Sequence, residues 1–170
     1  MAAVLNFGPI LQLCAAQRAL NFDTISMPFN TDVQGSGLHW VLASADFRDR
    51  DISIYNSIHS STTANTACST LLKVVAYIFT AAGEDFKVSD WTVTDVINVP
   101  QQSNGYDCGV FTVLYACAII RNDQLGPVDS HKARLWIHSL IEEYMPGKVR
   151  RSGLSQKKLS QMYVLQLNST

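Results

Sequence analysis

One stretch constrains the fold of this 170-residue chain more than any other: Val99-Pro100-Gln101-Gln102-Ser103-Asn104-Gly105-Tyr106-Asp107-Cys108-Gly109-Val110-Phe111. It reads as an extended arm, a tight turn and the first turn of a helix. Pro100 disfavours a helix running through it, and Asn104-Gly105 is a turn dipeptide whose glycine can take a positive φ without steric cost. No charged residue falls between Gly109 and Ile120, so the helix is expected to be buried on most sides. At about a dozen residues it is too short to cross a bilayer. Cys108 then begins a buried helix, where unpaired N–H groups and the positive end of the helix dipole favour a thiolate. Gln102, six positions earlier on the other arm, brings a side-chain amide beside it. The plain alternative is that Cys108 is a small core residue, as most single cysteines are.

The rest of the chain supplies the elements around this turn. Pro9 suits the first position of a short helix to about Leu20, with Ile10, Leu13 and Cys14 on one side. Ile25 to Phe29 reads as a short strand that Pro28 confines to an edge or a strand end. His39 to Asp46 reads as a strand, Phe47 to Arg50 as a polar hairpin loop, and Asp51 to Asn56 as the antiparallel partner. That pairing makes His39 and Asn56 neighbours from strand geometry alone. Ser60, Ser61 or Thr62 can cap a helix running to about Ala82, stopped by Gly83. Trp91 to Val99, β-branched and alternating, leads as a strand into the central turn. After the Cys108 helix, Asp129 or Ser130 caps a third helix with Ala133, Ile137, Leu140, Ile141 and Tyr144 on one face, stopped by Pro146-Gly147.

With 47% hydrophobic and 16% charged residues, this length makes one ordinary domain with a real core. We read residues 1–146 as that domain and 147–170 as a basic tail. Residues 1–143 carry all 14 acids against 8 basic residues, while Lys148, Arg150, Arg151, Lys157 and Lys158 follow with no acid. The tail is expected to be a solvated extension, with nuclear import or partner binding as the alternative. A net charge of −1 gives no reason to expect a nucleic-acid partner.

Cys14, Cys68, Cys108 and Cys117 show no C-x-x-C spacing, which argues against zinc and a disulfide framework and fits a reducing compartment. His131 and His138 are seven residues apart, about 10.5 Å along a helix, too far to share a metal. With no signal peptide and no run of 18 apolar residues, the expectation is an intracellular protein, in nucleus or cytoplasm, without a membrane partner. Neither metal nor cofactor is expected, and a monomer is.

Three groups thus converge on one chemistry. A cysteine nucleophile needs a base to take its proton and a third group to hold that imidazole in the right tautomer. Cys108, His39 and Asn56 fit those parts, with Asn56 expected to accept the His39 Nδ1–H. Gln102 can direct an amide N–H at a developing oxyanion, with the Cys108 backbone N–H as a second donor. Asp107 is expected to cap the helix, its side chain turned to backbone N–H groups.

The order His, Asn, Gln, Cys resembles the ubiquitin-like-protein-specific cysteine proteases, the sentrin/SUMO-protease family. The motifs that carry it are Gly37-Leu38-His39-Trp40, Ile54-Tyr55-Asn56-Ser57, Met27-Pro28-Phe29-Asn30 and the long Pro100 to Gly109 segment, so that it covers roughly Ile25 to Tyr144. It implies an α+β, papain-like or adenain-like cysteine protease fold: a central mixed β-sheet flanked by helices, with the nucleophile at the N-terminus of a buried helix. It implies His39 as general base, Cys108 as nucleophile and Gln102 as oxyanion-hole side chain. Trp40 would wall a narrow tunnel for an extended diglycine tail, the alternative being a core aromatic. The implied partner is a ubiquitin-like modifier and its conjugates, SUMO by default, with a Nedd-type modifier or ubiquitin as options.

Two departures from the family pattern set further expectations. The family usually has aspartate where this chain has Asn56, which points to reduced rather than abolished activity. Family members also carry a segment before the first strand whose aromatic forms the opposite tunnel wall. No tryptophan precedes Trp40, so the N-terminal part is expected to be truncated or divergent. Two other functions compete: a decayed protease that only binds the modifier, and an acyltransferase of the same fold clan carrying acetyl groups on Cys108. The Gln-x₅-Cys spacing and the aromatic after His39 favour the protease over the second.

Overall fold

The computed structural model describes residues 15–31, 39–59 and 61–144. Outside them lie the expected start of the Pro9 helix with Ile10, Leu13 and Cys14, the Gly37-Leu38 pair, Ser60, the Pro146-Gly147 stop and the basic tail. Residues 15–19 are helical, and four strands and three longer helices follow. The strands are β1 (Thr24–Asn30), β2 (Trp40–Asp46), β3 (Asp51–Tyr55) and β4 (Thr92–Val96), and the helices α1 (Ser61–Ala82), α2 (Cys108–Arg121) and α3 (Ser130–Tyr144).

The strands form one mixed sheet in the order β1-β2-β3-β4. β1 and β2, and β2 and β3, pair antiparallel, whereas β3 and β4 run parallel. Parallel neighbours need a long crossover, and here α1 makes it. β1 is an edge strand, which is where a strand containing Pro28 belongs. The β2–β3 hairpin turns through Phe47 to Arg50. Asp46 Oδ1 accepts the N–H groups of Arg48 and Asp49, each at 2.9 Å, and Arg50 takes the left-handed conformation.

β2 is the centre of the molecule. Val41, Ala43 and Ala45 are fully buried and pack with Ile52, Ile54 and the α1 residues Ala64, Ala67, Cys68, Leu71 and Val75. The alternate residue Leu42 packs with Phe111 and Tyr115 of α2 on the other face. A strand with helices on both faces reads as an almost unbroken apolar run rather than an alternating one, and Val41-Leu42-Ala43 is such a run. Phe47, Phe79, Phe86 and Trp91 close one end of the α1 layer as edge-on and tilted ring pairs about 6 Å apart.

Helix ends follow residue chemistry. Gly83 has φ +82°, and the N–H groups of Gly83 and Glu84 reach back to the Thr80 and Phe79 carbonyls at 3.1 and 2.9 Å, a Schellman stop for α1. Asn122, with φ +53°, ends α2 in the same way. Asp129 caps α3 by accepting the Lys132 N–H at 3.1 Å.

Three expectations are corrected. Burial of α2 is confined to its first turns: Cys108, Val110, Phe111, Thr112, Leu114 and Tyr115 are buried, whereas Ile120 is 83% exposed. Absence of charge marks a helix that can be buried, but the later turns of α2 are covered on one face only, where Ala116 and Ile119 pack with Leu42, Phe111 and Tyr115. The strand from Trp91 is shorter than its pattern, Thr92–Val96, and mostly exposed, because it is the sheet's second edge. On α3 only Ala133 is buried, while Ile141 and Tyr144 are exposed.

Candidate active site

His39 immediately precedes β2 and Asn56 immediately follows β3, so the hairpin register delivers both to the same end of the sheet. His39 Nε2 and Asn56 Oδ1 are 2.7 Å apart. The same oxygen accepts the Ile58 N–H at 3.0 Å. That second bond fixes the amide orientation, since a flipped Asn56 would set its NH₂ against a backbone donor. An amide oxygen only accepts, so His39 must carry its proton on Nε2, leaving the Nδ1 lone pair as the basic position. The expected use of Nδ1 toward Asn56 is corrected to Nε2. Asn56 is 1% exposed, and among the described residues its Nδ2 has no hydrogen-bond partner.

The turn that carries Cys108 is stitched to this corner by three bonds. Gln102 N–H donates to the Ser57 carbonyl at 3.0 Å, the Ser57 hydroxyl donates to Gln102 Oε1 at 2.6 Å, and Gln101 Nε2 donates to the Asn56 carbonyl at 3.1 Å. On the far side of the arm, Tyr115 of α2 donates its hydroxyl to the Pro100 carbonyl at 2.6 Å. Burial pushes the Tyr115 phenol well above its ordinary range, which keeps it a donor. Strand ends, arm and helix start are therefore one bonded unit. Gln102 Nε2 gives one proton to the Asn104 carbonyl, and among the described residues its second proton has no acceptor.

Turn closure differs from the expectation. Gly105 does not adopt a positive φ. Instead Asn104 Oδ1 accepts the N–H groups of Tyr106 and Asp107 at 3.1 and 3.0 Å, so a side chain closes the turn. Asp107 is also corrected. Its backbone carbonyl accepts Val110 and Phe111 N–H at 2.8 and 3.1 Å, but its carboxylate makes no capping bond to α2. Those oxygens go to Arg134 and Asn104, and the Ser130 hydroxyl, Asn104 and Arg134 together hold the carboxyl below its ordinary range. Among the described residues the Cys108 N–H at the head of α2 meets no acceptor.

Cys108 itself is buried, 7% exposed. Burial pushes the thiols of Cys68 and Cys117 up, as expected of cysteines in packed surroundings. Trp40 opens β2 at 40% exposure and among the described residues joins no core cluster, so the core-aromatic alternative is set aside. His59 and His131 are exposed, and His138 lies 3.5 Å from Glu142. Asp51, at the other end of β3, is engaged by Ser53, Thr92 and Thr94. Among the described residues no cluster of His, Cys, Asp or Glu is placed to hold a metal, and no helix is long and apolar enough to cross a membrane. Ser57, Asn104 and Arg134 are structural parts of the site that sequence reasoning missed. Ser57 stands next to Asn56, which was the one signal for it, and Asn104 reads in the sequence only as a turn former.

Comparison with known proteins points the same way. Residues 15–144 match the family described as the Ulp1 protease family, C-terminal catalytic domain. A sentrin-specific protease of Caenorhabditis elegans is 30% identical over 96 residues, covering 54% of this chain and 12% of that protein. The catalytic domain of the Chaetomium thermophilum Ulp1-like SUMO protease is similar at 27% identity and TM-score 0.50, covering 71% of this chain and 47% of that one. The C-terminal Ulp1 protease domain solved in complex with Smt3, the yeast ortholog of SUMO, shares the fold at 19% identity and TM-score 0.51, over 75% of this chain and 61% of that one. The chain thus spans about half the length of the solved catalytic domains it resembles, and a small part of its C. elegans relative.

Proposed function

The chain belongs to the Ulp1 protease family, and from that premise we propose that it is a thiol protease or isopeptidase cutting after the C-terminal diglycine of a SUMO-type modifier. The observation that carries the reading is the 2.7 Å His39–Asn56 bond, with the Asn56 oxygen oriented by Ile58, because it fixes an imidazole with a free basic nitrogen.

In this reading the Cys108 thiol passes its proton to His39 Nδ1 and its sulfur attacks the scissile carbonyl. The resulting oxyanion takes the Cys108 backbone N–H and the second proton of Gln102 Nε2. Collapse breaks the C–N bond. The imidazolium returns its proton to the departing amine, leaving a thioester on Cys108. Water then gives a proton to His39, attacks the thioester, and releases the modifier carboxylate and the thiol. Asn56 holds the imidazole by one hydrogen bond without supplying charge, so the imidazolium is stabilised less than by a carboxylate. Trp40, exposed at the start of β2, is the aromatic we assign to the diglycine passage. Only residues without side chains let a backbone slip past a flat aromatic wall.

A decayed protease retained as a modifier-binding module is the second reading, and it is favoured by the Asn56 Nδ2, which is without a partner among the described residues. Modifiers carrying C-terminal electrophiles separate the two. The proposal expects a covalent adduct on Cys108 with the SUMO probe and none in Cys108→Ala. A folded protein that binds SUMO without forming the adduct supports the second reading.

A further inference from the structure

Asp107 places a carboxylate next in the chain to Cys108, and there it can do harm in two ways. A negative charge facing the sulfur disfavours the thiolate. An aspartate just before a helix is also a favoured cap, whose oxygens would bond N–H groups of the second or third helical residue and so keep the charge at the head of α2, beside Cys108. Neither arrangement is found. Arg134 of α3 donates Nε and one terminal nitrogen to Asp107 Oδ1 at 2.9 and 2.5 Å, and Asn104 Nδ2 donates to Oδ2 at 2.7 Å. The Ser130 hydroxyl, at the first position of α3, is the main influence that holds this carboxyl below its ordinary range. The Arg134 terminal nitrogen also reaches the Tyr106 carbonyl at 3.0 Å, and the guanidinium lies 5.8 Å from the Tyr106 ring centre. Asp107 is 2% exposed, so its charge is committed to these partners.

We propose that Arg134 is a positioning residue: through its two-pronged contact it holds the Asp107 carboxylate off the N-terminus of α2, leaving the Cys108 sulfur without a facing negative charge. The inference rests on Cys108 being the nucleophile. A buried ion pair kept only for stability would need no such orientation. The feature that separates the two is the carboxylate's failure to cap the helix it precedes. The other charged and titratable groups on elements packed around this end of α2 are His39 and Tyr55 from the β2–β3 side, Tyr106 in the turn, and His131 and Lys132 on α3, Lys132 being paired with Asp129.

The test is the pH dependence of iodoacetamide alkylation at Cys108 in the full chain. Peptide mass spectrometry counts Cys14, Cys68 and Cys117 separately, and thermal melting monitors the fold. Arg134→Met is expected to move the Cys108 alkylation midpoint up by about one pH unit and to slow alkylation near neutral pH by about tenfold. Adding Asp107→Asn is expected to bring the midpoint back, although the double variant has lost the ion pair altogether. A folded Arg134→Met with an unchanged midpoint overturns the proposal, as does a midpoint that Asp107→Asn fails to restore. Should Arg134→Met not fold, Arg134→Lys keeps the charge without the fork. A smaller upward shift, again reversed by Asp107→Asn, supports the proposal, and no shift overturns it. If wild-type Cys108 behaves as an ordinary thiol throughout, the functional reading itself falls, and that is seen before any variant is compared.

Discussion

His39 and Asn56 stand 17 residues apart in the chain and 2.7 Å apart in space, joined from Nε2 to Oδ1 across the mouth of the β2–β3 hairpin. Asn56 spends its oxygen twice, on His39 and on Ile58 N–H, and among the described residues its buried Nδ2 has no partner. The arrangement orients the imidazole fully and stabilises its charged form only weakly. Orientation and charge are thus separable here, and substitution at this one position distinguishes them.

Asn56→Asp keeps the acceptor and adds the charge. Near neutral pH it is expected to raise the rate of Cys108 labelling by a SUMO electrophile by about tenfold. That is well below the ~10⁴ lost when the triad aspartate of a serine protease becomes asparagine, since a thiol is far more acidic than a serine hydroxyl. Asn56→Ala removes the orientation too, and is expected to lower the rate by about a hundredfold and stability by about 1–3 kcal/mol as Ile58 N–H loses its acceptor. Timed mass spectrometry and urea unfolding read the two effects.

Gln102 is held by Ser57 from one side and spends one amide proton on the Asn104 carbonyl. On the proposed mechanism Gln102→Ala removes an oxyanion donor and lowers kcat by about a hundredfold. Ser57→Ala leaves that donor in place but unlocks it, and is expected to cost about tenfold. Steady-state cleavage of a SUMO fusion measures both, and equal losses in the two variants would count against a direct role for Gln102.

Asp107 gives stability a pH dependence of known sign. Its folded-state carboxyl is held below the ordinary range, chiefly by the Ser130 hydroxyl and then by Asn104 and Arg134. The stabilisation is therefore fully present above the unfolded pKa of about 3.9 and is lost as pH falls through the lower folded value. Asp107→Asn is expected to be less stable than wild type by about 2 kcal/mol at neutral pH, with the gap closing in acid. Urea midpoints across that range test it.

Tyr115 ties α2 to the Pro100 arm through a single hydroxyl. Tyr115→Phe keeps the ring contacts with Tyr55 and Phe111 and loses the bond, and about 1–2 kcal/mol of stability is expected to go with it because the Pro100 carbonyl is left with one donor fewer. Thermal melting is the check.

The hairpin was legible because antiparallel register is a local rule: two runs and a four-residue loop suffice to bring His39 to Asn56. The Cys108 helix start was legible for the same reason, from Pro100, Asn104 and an uncharged run. Arg134 was not, because it meets Asp107 from 27 residues away, and no local pattern sets how α3 docks on α2. The clue available was chemical: an aspartate beside a thiolate demands a counter-charge. Which imidazole nitrogen faces Asn56 was equally hidden, since a ring can turn over without any change in strand pairing. Exposure along β4 follows from its place at the sheet's edge, which periodicity does not encode.

Whether Cys108 is a nucleophile for a diglycine-ended modifier is read most directly by labelling with C-terminal electrophile probes of SUMO, the Nedd-type modifier and ubiquitin, followed by mass spectrometry. One adduct is expected, located on Cys108, formed with the SUMO probe and absent in Cys108→Ala. The opposite result is a folded chain in which Cys108 stays unmodified by every probe and reacts with iodoacetamide no faster than an ordinary thiol. Such a chain would not be a protease of this kind.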